Sequence, residues 1–379
     1  MGRNGLRNEV SQLKKELISE SREQTYNFAP GPSTMPVSAL ETAAAELLDF
    51  KGSGMSVMEI SHRSPLFQEV FDGAKDKLRR LLHVPDTHEI LLVQGGATTQ
   101  FAAIPMNLIQ GGTADYAVTG NFSGKAAEEA EKYGTVHIAA STADTGHDRI
   151  PTQEELTFSE DAKYFYYCAN NTIFGTEWHY VPETAAPLVC DMSSDILSQP
   201  VDVSRFGLIY AGAQKNMAPA GLTVVLVDKA LAGRELPVTP KILSYKTMIA
   251  TDSLLNTPPC WCIYMLGLTM DWVLAQGGVE AMDQLKRERA GMIYDFLDES
   301  RLFIPHARPE ARSFMNVTFR TPSAELDAAF VKFAAARGLV NLKGHKLTGG
   351  LRASLYNAMP VEGAKALLEF MKEFEHRHV

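Results

Sequence analysis

The chain reads as an α/β protein, with a large domain on a mainly parallel seven-stranded sheet and a smaller α+β domain after it. Three observations predict this. Seven short apolar runs, at 89–94, 115–119, 135–140, 164–169, 188–191, 208–213 and 223–228, alternate with helical segments. Several of these runs are almost uninterrupted by polar residues, as expected of strands covered by helices on both faces. Beyond about residue 280 the pattern changes to helices interleaved with a few short strands.

The elements follow in order. Residues 26–36, YNFAPGPSTMP, are rich in Pro and Gly and predict an ordered extended loop. Residues 37–50 predict a helix. A Gly/Ser stretch, 52–65, ends in His62-Arg63. Ser64 is a good N-cap and Pro65 suits the first helical position. Leu66, Phe67, Val70, Phe71, Ala74, Leu78, Leu81 and Leu82 then form a helical stripe. The strand–helix alternation occupies 89–228. Its last two strands are joined only by 217–222, too short a link for a helical crossover, so this pair is expected to be antiparallel. A turn-rich connection, 240–260, leads to helices over 261–274 and 278–300. A strand at 313–320, a helix at 324–336, the segment GHKLTGGLRASLYN and a last helix at 361–375 complete the chain. The expected organisation is an extension (1–24), a large domain (40–280), and a small domain joining 25–39 to 281–379.

Composition narrows the function. A net charge of −9 argues against a nucleic-acid partner, which requires a basic face. No apolar run reaches the roughly 20 residues needed to span a bilayer. Cys168 and Cys190 lie in apolar strands, and Cys260 and Cys262 match no zinc spacing, so no metal site is expected and a reducing, cytoplasmic setting fits. Residues 1–24 carry Glu9, Glu16, Glu20 and Glu23 and no apolar core, which speaks against a targeting peptide; Leu6, Val10, Leu13, Leu17 and Ile18 recur at helical spacing.

Chemistry is expected at the carboxyl ends of the strands, where open α/β sheets bind ligands. The first strand runs into Gln94-Gly95-Gly96-Ala97-Thr98-Thr99 and a helix, a candidate phosphate cradle of free N–H groups. The second leads to Phe122, which can stack on a flat ring. The fourth leads to Asn171 and Thr172. The fifth ends in Asp191, a carboxylate that is costly to bury without a cationic partner. The sixth leads to Gln214 and Lys215, an amine placed past an apolar strand, where burial favours the neutral, nucleophilic form. An aldehyde-reactive lysine, a partner for a ring nitrogen, an aromatic stacker and a phosphate cradle together describe a pyridoxal phosphate (PLP) site.

The blocks NFAPGPSTMP (27–36), GSGMSVMEISHRSP (52–65), QGGATTQFAAIPMNL (94–108), DMSSDILSQPVDVSRFGLIYAGAQKNMAPAGLTVVLV (191–227), NTPPCWCIY (256–264) and GLRASLYNAM (350–359) closely resemble the phosphoserine aminotransferase family. The resemblance covers nearly everything beyond the N-terminal extension. It implies a PLP-dependent transferase of fold type I, a homodimer in serine biosynthesis, with glutamate and a phosphorylated keto acid as substrates. By the same resemblance Lys215 is the Schiff-base lysine and Asp191 the partner of the pyridine nitrogen. Phe122 stands at the ring-stacking position, often Trp in the family. Thr172 and Gln214 contact the cofactor, and Ala97 and Thr98 lie at its phosphate. Asn256 and Thr257 reach that phosphate from the other subunit. Arg352 is expected to hold the substrate carboxylate; His62, Arg63, His345 and Lys346 are expected at its phosphate. The chain departs from the family twice: Lys346 and Thr98 stand where many or some members carry Arg.

Other chemistries fit less well. A cysteine desulfurase of this fold needs a late cysteine, and none follows Cys262. A cofactor-free relative is expected to lose the lysine or the aspartate. A nucleotide-dependent oxidoreductase is expected to carry G-x-G-x-x-G after its first strand, which is missing here.

Overall fold

The computed structural model describes residues 20–379. The amphipathic helix expected within 1–24 falls almost wholly outside them.

Seven strands form the central sheet: β1 (His88–Val93), β2 (Thr113–Val118), β3 (Thr135–Ser141), β4 (Phe165–Cys168), β5 (Leu188–Asp191), β6 (Leu208–Gly212) and β7 (Thr223–Asp228). Their spatial order is β1-β7-β6-β5-β4-β2-β3, and β7 alone runs against the rest. The short link before β7 therefore makes the antiparallel hairpin expected of it. The longer helices are α1 (Val37–Glu46), α2 (Pro65–Leu81), α3 (Gly96–Leu108), α4 (Asn121–Ala130), α5 (Cys260–Ala275), α6 (Gly278–Glu299), α7 (Ala324–Ala335) and α8 (Val361–His378), and a short one spans Tyr245–Ala250.

The apolar strands serve two cores, because successive side chains leave opposite faces of a strand. Leu91, Tyr166, Val189, Tyr210 and Val225 pack under Phe101 and Ile104 of α3 and Ala126 of α4. Leu92, Phe165, Cys190, Ile209 and Val224 pack under Phe71 and Leu78 of α2 and Ile263 and Leu266 of α5. Ser64 caps α2, its hydroxyl accepting from the Phe67 N–H, with Pro65 in the first turn.

A second, antiparallel sheet joins β8 (Ile304–Pro305), β9 (Asn316–Arg320) and β10 (Leu351–Ser354). It shares a core with α7, α8 and the second half of α6, and Phe28 from near the N terminus is buried in that core. Tyr26–Asn27 pairs in parallel with Leu339–Val340. Helix α6 begins in the core under the seven-stranded sheet, at Val279 and Met282, and ends in the core of the three-stranded sheet, at Ile293 and Leu297. It follows α5 directly: the chain turns at Gly277 and Gly278, both at positive φ (103° and 80°), a conformation glycine adopts without steric cost.

The last helix runs to His378 rather than 375, and two other boundaries differ from the sequence expectation for visible reasons. Helix α1 stops at Glu46, and the chain turns again only at Phe50–Gly52, where Phe50 is buried edge-on against Tyr264. Strand β9 starts at Asn316 rather than 313, because the Ser313 hydroxyl accepts the Met315 and Asn316 N–H groups and folds the chain locally.

Candidate active site

The carboxyl ends of β5 and β6 bring Asp191 and Lys215 near each other, with Phe122 of α4 beside Lys215 and Arg352 acting on it. Asp191 closes β5 and is 4% exposed. Its Oδ1 accepts the Ser193 N–H at 2.8 Å and its Oδ2 accepts the Tyr210 hydroxyl at 2.9 Å. Among the described residues no cation lies within ion-pairing distance of it. Such a buried carboxylate is stable only with donors to its charged form or a cationic partner.

Lys215 follows β6 by a three-residue turn. Its Nζ lies 5.9 Å from the centre of the Phe122 ring. Burial lowers its affinity for a proton; the fields of Asp191, Cys168 and Asp195 oppose that shift, and Arg352 adds to it. Lys215 and Asp191 act on each other without pairing, as two groups addressing different parts of one ligand must. The 27–36 loop straps this turn. Ser33 N–H donates to the Gln214 carbonyl at 3.0 Å, and the Ser33 hydroxyl donates to the Lys215 carbonyl. A Cβ on Gly31 would stand 3.4 Å from Lys215 Cγ, at a φ of 138° that disfavours any side chain.

The candidate phosphate cradle is the first turn of α3. Its cap, Gly95, has φ 99°, and a Cβ there would strike the Thr99 hydroxyl at 2.0 Å. No side chain caps this end, so the first N–H groups of the helix beside Ala97 and Thr98 have no intrahelical acceptor. Gln94 Nε2 donates to the Thr257 carbonyl at 3.1 Å and so ties the exposed Asn256-Thr257 turn to the rim.

Arg352 on β10 is only 6% exposed. Its Nη1 donates to the Thr172 carbonyl at 2.8 Å; its Nε has no partner, and no described acid pairs with it. His345 sits nearby. Burial, then the positive fields of Arg352, Lys346 and Lys125, hold its imidazole below the usual value. Lys125 was not foreseen from the sequence. It lies one turn past Phe122 on α4, and only that spacing of i and i+3 could have signalled it. Tyr210 was also missed, since a tyrosine inside an apolar strand reads as core. His62 and Arg63 lie on the surface before α2, and no contact connects them to Lys215, Asp191 or Arg352 within the chain.

These residues fit PLP: an unpaired buried carboxylate for a protonated ring nitrogen, an amine beside an aromatic face, and a glycine-opened helix end for phosphate. The comparisons with known proteins agree. The family model for aminotransferase class-V matches residues 25–367. The chain belongs to the class-V aminotransferases. The phosphoserine aminotransferase of Pseudomonas aeruginosa is 49% identical over 357 residues, 94% of this chain and 99% of that protein. The solved phosphoserine aminotransferase of Bacillus circulans subsp. alkalophilus is 43% identical with a TM-score of 0.92, covering 94% of this chain and 100% of that one. The PLP-bound phosphoserine aminotransferase of Trichomonas vaginalis is 40% identical with a TM-score of 0.89, covering 92% and 99%. In sequence and fold this class-V aminotransferase sorts with the phosphoserine aminotransferases; its cofactor is PLP and its activity is phosphoserine transamination.

A second buried acid adjoins the cleft. Asp195 is 4% exposed and its Oδ1 has no hydrogen-bond partner. Burial and the negative field of Glu177 push its carboxyl up to about 8, with Lys286 opposing. The unfolded value is about 3.9. Between these values the folded state holds a proton that the unfolded chain has released, so stability falls as pH rises through the window. Asp195→Asn removes the titration. Relative to wild type the variant is expected to gain stability in thermal unfolding between pH 5 and pH 9, by roughly 4 kcal/mol. An offset that is the same at both pH values would contradict the assignment.

Proposed function

We propose that the chain acts as a cytoplasmic homodimer that moves the amino group of glutamate to 3-phosphohydroxypyruvate, giving O-phosphoserine and 2-oxoglutarate in serine biosynthesis. The same anchors suit the related phosphorylated four-carbon keto acid of PLP biosynthesis. The observation that carries the reading is a group of three charged side chains without an ion-pair partner, buried Asp191 and Arg352 and half-buried Lys215, close enough for the first two to act on the third. Four unoxidised cysteines suit a reducing compartment, and no described helix is long and apolar enough to cross a membrane.

Each residue has a role in this reading. PLP, when bound, supplies an electron sink for the substrate carbon. Lys215 holds the cofactor and moves the proton at its Nζ. Asp191 keeps the ring nitrogen protonated. Phe122, Thr172 and Gln214 line the ring, and Ala97 and Thr98 hold the phosphate with Asn256 and Thr257 of the partner subunit. Arg352 grips the substrate carboxylate, for which its planar fork is suited. His345 and Lys346, with Lys125 behind them, attract the substrate phosphate, and His62 and Arg63 of the partner subunit complete that pocket. The division into a 40–280 unit and a 25–39 plus 281–379 unit leaves the cleft between them.

The dimer reading rests on the exposed position of Arg63, Asn256 and Thr257, beside half-buried His62, and on exposed apolar side chains in or near these segments: Leu48 is 84% exposed, Met58 56%, Met55 41% and Leu255 38%. The test is hybrid formation. Arg63→Ala and Lys215→Ala proteins, each unable to convert O-phosphoserine, are mixed under conditions that exchange subunits. Conversion is expected to return, because one site of the hybrid receives both an intact Lys215 and an intact Arg63. Mixing without recovery would remove the shared site. Separately, wild type is expected to favour O-phosphoserine over serine on the order of 100-fold; equal turnover of both would remove the phosphate pocket.

A further inference from the structure

The seven-stranded sheet contains a buried chain of hydroxyls that ends on Asp191. Tyr210 lies beside Asp191 in the register of the β5–β6 pair and donates to its Oδ2 at 2.9 Å. The Tyr166 hydroxyl, on β4, lies 2.8 Å from that of Tyr210. A phenol has one proton. Since Tyr210 gives its proton to the carboxylate, the hydrogen of the second bond comes from Tyr166. The polarity Tyr166→Tyr210→Asp191 is thereby fixed. Both rings are fully buried, and burial, followed by the field of Asp191, pushes both phenols far above their ordinary value, so neither ionises in the working range.

We propose that Tyr210, backed by Tyr166, is a positioning residue that holds the Asp191 carboxylate oriented for the ring nitrogen of PLP. The inference rests on the role given to Asp191 under the proposed function. Donors to the charged form of a carboxylate oppose the tendency of burial to neutralise it. Asp191 has two, the Ser193 N–H and the Tyr210 hydroxyl, one on each oxygen. The titratable groups that act on this spot are Tyr166 and Cys168 from β4, Cys190 from β5, Asp195 from the turn after it, Tyr210 from β6 and Lys215 beyond it. Among the described residues only Tyr210 donates a side-chain hydrogen bond to the carboxylate.

The same core contains an internal control. Tyr116 and Tyr164 also join hydroxyl to hydroxyl, at 2.6 Å, equally buried but with no carboxylate at the end. A hydroxyl pair that served packing alone would behave alike at both places.

The test measures PLP binding to cofactor-stripped protein by fluorescence quenching at pH 5.5 and 8.5. Tyr210→Phe, Tyr164→Phe and Asp191→Ala are compared with wild type, and thermal unfolding is recorded for each. Tyr210→Phe is expected to weaken PLP binding about tenfold at both pH values, as for loss of a hydrogen bond to a charged group. Tyr164→Phe is expected to bind as wild type at both, although it loses as much stability. Equal Kd values for Tyr210→Phe and wild type, or a loss shared by Tyr164→Phe, would overturn the proposal. If Asp191→Ala itself binds PLP as wild type does, the role of Asp191 fails first. Weak binding by Asp191→Ala with normal binding by Tyr210→Phe defeats the relay alone.

Discussion

Lys215→Ala is expected to abolish turnover, with a loss of at least about 10⁴-fold, and to leave a protein whose visible absorption no longer responds to borohydride. In the proposed reading two functions vanish together: the amine that holds the cofactor, and the group that moves the proton between substrate and cofactor carbons. Nothing nearby replaces it. Lys286, another buried lysine, is engaged by Glu177 and Gln199. Lys125 and Lys346 are exposed. Lys215→Arg keeps the charge but not the nucleophile, and is expected to be as inactive. Burial also makes Lys215 chemically distinct from the surface lysines in cofactor-stripped protein. Its proton is released at lower pH, so the neutral amine is present where exposed lysines are still ammonium. Trinitrobenzenesulfonate at pH 7.5 is therefore expected to label Lys215 ahead of Lys125 or Lys346, read by peptide mapping. Labelling at equal rates would contradict the buried-amine geometry; residual turnover within 100-fold of wild type would remove Lys215 from the chemistry.

The sheet was legible because its strands are buried on both faces. Runs such as Leu188-Val189-Cys190 and Val224-Val225-Leu226-Val227 have no polar alternation, and the structure divides them between two cores. The reversed β7 was legible from a link too short to cross. The cleft residues on the strand ends were legible because Asp191 and Lys215 are expensive where they stand. What stayed hidden acts through side chains that also make good core. Tyr166 and Tyr210 bury as much surface as any aromatic, and only the 2.9 Å contact with Asp191 separates them from Tyr116 and Tyr164. Lys125 was hidden for the opposite reason, as an exposed lysine on a helix is ordinary. His62 and Arg63 were found by motif, yet within one chain they reach none of the cleft groups.

Arg352→Ala is expected to reduce kcat/KM by about 10²–10⁴ for O-phosphoserine and for glutamate alike. The magnitude follows from two charge-assisted hydrogen bonds at about 1.5–3 kcal/mol each. The equality follows from chemistry: both amino donors carry an α-carboxylate, and only one carries a phosphate. Lys346→Ala should therefore separate the two, slowing O-phosphoserine and sparing glutamate. Arg352→Lys keeps a charge without the planar fork and should recover only part of the loss. Stability supplies an independent check. Arg352 is buried, bound by one hydrogen bond to the Thr172 carbonyl, with Nε unpartnered and no acid to offset its charge. A guanidinium held that way costs the fold more than it returns. Its removal is expected to leave the unfolding temperature unchanged or raised while activity falls. A variant that loses stability in step with activity would make Arg352 a structural residue; one that loses glutamate turnover but keeps O-phosphoserine turnover would move the carboxylate anchor elsewhere.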